Sequence, residues 1–261
     1  MPVRKLWKLG LGLLLVCAVM VSVSILWGDS GARGDAETAP SPAQSSPPAQ
    51  PEVSPEVLHL TDLPKLDPNS WQLKLVNQDH PLDQSFTVTT AATQDGYLFD
   101  SRAVSALDAM LDAGKAAGMD LQLVSAYRSW DYQTMLFENK VQSIMRSEKL
   151  GRTAAEAEAA TVVARPGASE HELGLAVDIA SAAHPTLDVD YANTPEAQWL
   201  YAHCAQYGFI LRYPSDKSAV TGIIFEPWHF RYVGVEAAAY VMDHGLCLEE
   251  FIAELTANGE G

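Results

Sequence analysis

Ser169-Glu170-His171-Glu172-Leu173-Gly174-Leu175-Ala176-Val177-Asp178 is the stretch on which the reading of this chain turns, and Glu226-Pro227-Trp228-His229 completes it. Together they offer two imidazoles and a carboxylate, His171, Asp178 and His229, as ligands for one metal. Zinc in catalytic sites usually takes three N or O ligands from the protein and keeps a fourth position open. Glu226, three residues before His229, is then left free to act as a base. His171-Glu172 does not begin a helical H-E-x-x-H motif, because position 175 is Leu. Taken singly, each residue also has an ordinary structural reading. Ser169 to Glu172 fits a helix capping box, Asp178 fits a turn, and His229 fits a hydrogen-bonded core histidine.

The combination is more specific than its parts. Ser-x-His-x-x-Gly-x-Ala-x-Asp followed by Glu-Pro-Trp-His resembles the zinc D-alanyl-D-alanine carboxypeptidases of the vancomycin-resistance type. These share a superfamily with lysostaphin-like peptidases and the hedgehog signalling domain. Ser125-Ala126-Tyr127-Arg128-Ser129 and Arg212-Tyr213-Pro214 extend the resemblance, which covers roughly residues 70–255. It implies one Zn2+ per chain on His171, Asp178 and His229, with Glu226 as catalytic base. It also implies that Arg128 and Ser169 contact the substrate carbonyl or the developing oxyanion, and that the substrate is a peptidoglycan stem peptide ending in D-alanine.

Several neighbouring activities stay open on the same residues. They are an L,D-carboxypeptidase acting on tetrapeptide stems, an endopeptidase, and a non-catalytic zinc-containing domain that binds the cell wall. Glu226 and Arg128 together speak against the last, since a binding domain needs no base. Arg128 brings a permanent charge and a planar donor fork, which suits an oxyanion or a carboxylate. Gln133, one turn into the helix after Arg128, reads either as a substrate-binding residue or as part of a solvated helix face, and Trp228 reads either as packing or as a substrate-binding wall of the cleft. An exo-acting enzyme must also capture a terminal carboxylate, and Arg128, Arg212 and Lys217 are the candidates for that.

The ends of the chain speak to compartment. Arg4, Lys5 and Lys8 precede an uncharged apolar run from Leu9 to Trp27. Its nineteen residues at ~1.5 Å rise span roughly 28 Å, about the hydrocarbon thickness of a bilayer. That is longer than the ~7–15 residue core of a signal peptide, so residues 1–27 read as a membrane anchor. Small residues at Ser30-Gly31-Ala32 keep a cleaved, secreted form open. Cys17 lies inside the apolar run and does not look like a lipidation site. The basic flank puts the remainder of the chain outside the cytoplasm. Residues 28–56 are rich in Pro, Ser, Ala and Gln and read as a linker. Such a tether reaches roughly 30 Å as a coil and roughly 90 Å in polyproline geometry. Residues 57–261 are the zinc D,D-carboxypeptidase domain by the resemblance.

The net charge is −16, which argues against a nucleic-acid partner; a monomer is the expectation. Cys204 and Cys247 read either as free thiols or as a disulfide closing a loop of about 44 residues, worth roughly 4 kcal/mol.

Periodicity predicts a short strand at Leu73–Val76 and a helix over Ser101–Gly118. It then gives a buried strand through Leu121, Leu123 and Val124, and a helix capped by Ser129. Thr153–Glu156 fits a capping box, Gly174–Ala180 alternates as a strand, and Thr194-Pro195-Glu196 opens a helix. Thr221–Val233 reads as a last strand with a bulge at Pro227 that brings Glu226 and His229 to one side. Helices at 237–245 and 249–255 close the chain. Without alternating βαβ units, the fold class is α+β, a small mainly antiparallel sheet flanked by helices.

Overall fold

A computed structural model describes residues 62–259. The expected anchor at 1–27 and linker at 28–56 lie outside the described residues. Among those described, no helix is long and apolar enough to cross a membrane.

The first regular structure is a hairpin, β1 (Thr90–Ala92) and β2 (Leu98–Asp100), paired antiparallel. α1 (Val104–Ala116) buries Leu107 and Met110 and stops before Gly118, whose φ of +81° suits glycine. β3 (Gln122–Ser125) points Leu123 into the core, while the pleat turns Val124 outward, 41% exposed. That corrects the expectation of a wholly buried strand. α2 (Trp130–Glu148) begins where the Ser129 hydroxyl accepts the Tyr132 N–H at 3.2 Å, as expected. α3 (Arg152–Ala159) is capped at Gly151, so the box anticipated at Thr153–Glu156 does not form. Phe137, Val141 and Ile144 of α2 pack on Ala155 and Ala159 of α3, where small residues permit close approach.

β4 (Ala176–Ala180) follows, then α4 (Pro195–His203), whose cap Thr194 accepts from the Ala197 N–H at 3.1 Å. β5 (Phe209–Leu211), a short α5 (Ser218–Thr221), β6 (His229–Tyr232), α6 (Val235–His244) and α7 (Leu248–Gly259) complete the domain. The main sheet has the order β3-β4-β6-β5, antiparallel throughout. The α+β class read from the sequence is therefore the observed one.

Period-two alternation divides the two central strands cleanly. Val177, Ile179 and Phe230 enter the core with Phe99, Leu107, Met110 and Phe209. Asp178 and His229 stand on the other face. Burial of each large apolar side chain is worth about 1.5–3 kcal/mol, so the core holds the register that pairs the polar residues behind it.

One expected strand is replaced and another is shortened. Trp71–Leu73 is a 3-10 turn, and the strand expected at Leu73–Val76 does not form. The carbonyls of Gln72 and Lys74 accept from the Arg231 guanidinium, each at 3.0 Å, which serves them in place of a ladder. The last strand starts only at His229. Glu226-Pro227-Trp228 form a turn closed by the His229 N–H on the Glu226 carbonyl at 3.2 Å. Proline has no N–H for a ladder but suits the second position of a turn. Cys204 and Cys247 are both buried and unbridged.

Candidate active site

His171 and its neighbours sit in a compact loop leading into β4. The loop is held by backbone bonds, Glu172 N–H to the Ser169 carbonyl and Gly174 N–H to the His171 carbonyl, both 3.1 Å. It is a turn and not a capped helix. Gly174 adopts φ +76°, and its carbonyl accepts from the Asp100 N–H at 2.9 Å. A side chain at this position would be strained. The carboxylate of Glu172 staples the loop from within, accepting the Gly167 N–H at 2.9 Å. Burial pushes Glu172 up to about 7.

His171, Asp178 and His229 converge, with one ligand atom from each lying within 4.8 Å of the others. The Asp178 Oδ1 is 3.1 Å from His229 Nδ1, and its Oδ2 is 3.3 Å from His171 Nε2. The other nitrogen of His171, Nδ1, donates to the Ala126 carbonyl at 2.7 Å, which assigns the proton to Nδ1 and leaves the Nε2 lone pair free. Burial and nearby Arg128 push His171 down to about 4, so it is neutral at physiological pH. His229 behaves oppositely. Burial disfavours its charge, but the Asp178 and Glu170 carboxylates outweigh that and raise it to about 9. Three converging donors of this N2O set, one with its tautomer already fixed, fit a zinc ion.

Glu226 stands beside this group without joining it. Its Oε2 is 3.6 Å from His229 Nδ1, and the turn at Pro227 is what brings the two side chains to one side. Burial pushes Glu226 up to about 8, against the pull of His229 and Arg128. Arg128 ion-pairs with Asp178 Oδ2 at 2.5 Å and donates through Nε to the Ser125 hydroxyl at 2.7 Å.

These residues line a cleft of about 730 Å3. Leu136, Asn139 and Lys140 of α2 line it too, as do Leu187 to Val189. Ser169 and Trp228 line it, and Trp228 also packs on Tyr191 and Ala197. Gln133 has a different place from the one expected. It is fully buried, donates to the Ala164 carbonyl at 2.7 Å, and accepts weakly from Arg128 at 3.5 Å. It supports Arg128 from behind and is not on the cleft wall. Its buried i, i+4 register with Phe137 was the available signal.

Arg212 and Lys217 are likewise withdrawn as carboxylate readers. Arg212 is fully buried, bonded to Glu170 at 2.8 Å and to Glu249 at 2.7 and 2.9 Å. Lys217 pairs with Glu250 at 3.0 Å. Among the described residues, the cations lining the cleft are Arg128 and Lys140. Sequence reasoning passed over both Lys140 and Glu170. Glu170 stands between Ser169 and His171, and its partners are far away in the chain.

A family model described as D-alanyl-D-alanine carboxypeptidase matches residues 97–235. A D-alanyl-D-alanine carboxypeptidase of Enterococcus faecalis (strain ATCC 700802 / V583) is 40% identical over 187 residues, covering 71% of this chain and 67% of the relative. Among solved structures, a vancomycin-resistance D,D-pentapeptidase, VanY, in complex with Zn(II) superposes with a TM-score of 0.63 at 37% identity. That match covers 70% of this chain and 99% of the other. The LD-carboxypeptidase LdcB, whose structure concerns peptidoglycan recognition, gives a TM-score of 0.61 at 34% identity over 69% and 84% of the two chains.

Proposed function

The chain belongs to the D-alanyl-D-alanine carboxypeptidase family, and from that premise we infer that it is a zinc-dependent enzyme removing the C-terminal D-alanine from peptidoglycan stem peptides. Such a substrate lies outside the cytoplasm, and so does the enzyme's work. The observation that carries the reading is the convergence of His171, Asp178 and His229 beside a buried Glu226 on the wall of a cleft.

His171 through Nε2, Asp178 through its carboxylate and His229 through Nδ1 are the residues proposed to hold zinc. When bound, zinc acts as a Lewis acid toward the scissile carbonyl and lowers the pKa of a water from about 15.7 to about 7. Glu226 takes the proton that the attacking water gives up. Water oxygen adds to the carbonyl carbon, the C–N bond breaks, and Glu226 returns the proton to the departing amine of D-alanine. Glu226, buried beside His229 and not needed as a ligand, is the carboxyl group within reach to serve in both directions. Arg128 supplies a fixed positive charge on the cleft wall for the oxyanion. Ser169, also on that wall, is the proposed hydrogen-bond partner of the peptide.

Removal of D-alanine from a tetrapeptide stem is the second reading, supported by the likeness to LdcB. Mass spectrometry of defined penta- and tetrapeptide stems after incubation with the protein separates the two. The first reading expects loss of one alanine from the pentapeptide and an intact tetrapeptide. Cleavage of the tetrapeptide alone would replace it with the second.

The apolar run at 9–27, with its basic flank, is proposed to tether the enzyme to the outer face of the cell membrane. Recovery of the full chain in the membrane fraction after a high-salt wash is the expected result. Recovery only in the medium would mean secretion.

A further inference from the structure

A buried group of four charges lies directly behind His229. Glu170 and the arginines Arg212 and Arg231 are fully buried, and Glu249 of α7 is 13% exposed. The two arginines do not divide the Glu170 carboxylate between them. Arg212 Nε at 2.8 Å and Arg231 Nη1 at 2.7 Å both donate to the same oxygen, Oε1. The remaining donors of Arg231 go to the backbone at Gln72, Lys74 and Tyr232. Those of Arg212 go to Glu249. Oε2 of Glu170 is therefore left buried with no hydrogen-bond partner, and so is Nε2 of His229. These two orphaned atoms face each other at 3.8 Å.

A buried carboxylate oxygen without a partner is costly, and two complementary orphans in opposition point to a bond that a small ring movement completes. We propose that Glu170 is a positioning residue that accepts the Nε2–H of His229 and thereby commits Nδ1 of the same ring, as a lone pair, to the metal. The two arginines fix which oxygen is available, and their charge keeps Glu170 an acceptor and not a competing base. This proposal rests on the reading of His229 as a metal ligand and deepens it. It is the carboxylate–histidine–metal relay known in outline from other metal sites, built here on a residue adjacent in sequence to a different ligand.

The geometry makes the isosteric variant informative. In Glu170→Gln the two arginines still demand an acceptor at the Oε1 position, so the side-chain carbonyl must point at them. The amide NH2 then faces His229 Nε2 as a donor and drives the ring proton onto Nδ1, the nitrogen wanted by the metal. Glu249→Gln is the control, because it removes a carboxylate from the same arginine but does not approach His229.

Zinc affinity of the folded proteins is measured by competition with a chromophoric chelator, with folding checked by circular dichroism. Glu170→Gln should bind zinc ten- to a hundredfold more weakly than wild type, and Glu249→Gln within about threefold of it. Equal binding by Glu170→Gln and wild type overturns the proposal while leaving the metal site standing, and so does an equal loss in Glu249→Gln. A wild type that binds no zinc overturns the underlying reading of His229. Should Glu170→Gln fail to fold, the zinc-loaded wild type carries the test through NMR of 15N-histidine. A far-downfield, slowly exchanging His229 Nε2–H is expected; a rapidly exchanging one at an ordinary shift overturns the proposal.

Discussion

Asp178 of β4 and His229 of β6 are register partners across an antiparallel pair, with Oδ1 3.1 Å from Nδ1. Register partners on one face stand about 4.5–5.5 Å apart at Cβ, so the sheet itself sets the spacing of two candidate metal ligands. The next pair along, Val177 and Phe230, faces the core. A one-residue slip would exchange the two faces, so packing in the core and placement of the site are the same choice.

The metal assignment predicts about one zinc per chain, and Asp178→Ala should weaken binding by at least ~100-fold, more than loss of a supporting contact costs. Zinc content after dialysis against a weak chelator measures this. Wild-type zinc content in the variant would remove Asp178 from the site.

Phe230 is completely buried on the reverse of the same strand. Phe230→Ala should cost about 3–5 kcal/mol, read from urea unfolding of the zinc-free protein. A loss below ~1 kcal/mol would mean that the core does not hold the register.

Glu249→Gln tests the charge group behind the site through pH. Burial alone would raise Glu249, but Arg212 outweighs it and holds the carboxyl below its ordinary value. A depressed folded pKa gives stability that is complete above the unfolded value, ~4.3, and is lost as pH falls through the folded value. Wild type should exceed Glu249→Gln by about 3 kcal/mol at pH 7, and the gap should shrink as pH drops below about 4. A gap that widens with acid would contradict the pairing.

Substrate polarity is the next expectation. An exo-acting enzyme must read a terminal carboxylate, and among the described residues Arg128 and Lys140 are the arginine and lysine on the cleft wall. Stems amidated at the C-terminus should lose at least ~2 kcal/mol of transition-state binding, roughly thirtyfold in kcat/KM. Lys140→Ala should narrow that preference if Lys140 is the reader, and Arg128→Ala if Arg128 is. Equal cleavage of free and amidated stems would mean that neither reads it and that the enzyme cuts within the peptide.

What the sequence made legible follows from how local each feature is. The residues His171, Asp178, Glu226 and His229 were identifiable because their types and spacings occur in two short stretches. The caps at Ser129 and Thr194 were readable because a cap is decided within four residues. Glu226 and His229 were expected together through a bulge, but proline instead closes a turn ahead of the strand, a choice between two local solutions that both suit proline. The β1–β2 hairpin escaped notice although Asp95-Gly96 marks its turn, because its strands have only three residues each. Arg212 read as a candidate for the terminal carboxylate. Only the tertiary fold brings Glu170, Arg231 and Glu249 around it, and no spacing in the chain announces that burial.

The central claim is that Glu226 is a base beside, and not part of, a His171–Asp178–His229 metal site. Zinc content and the rate of D-alanine release from a pentapeptide stem, measured on the same samples of wild type and Glu226→Gln, test it most directly. The variant should retain about one zinc per chain and lose ~10²-fold or more in kcat. Loss of zinc together with activity would place Glu226 among the ligands, and an undiminished kcat with zinc retained would leave the reaction without the base proposed for it.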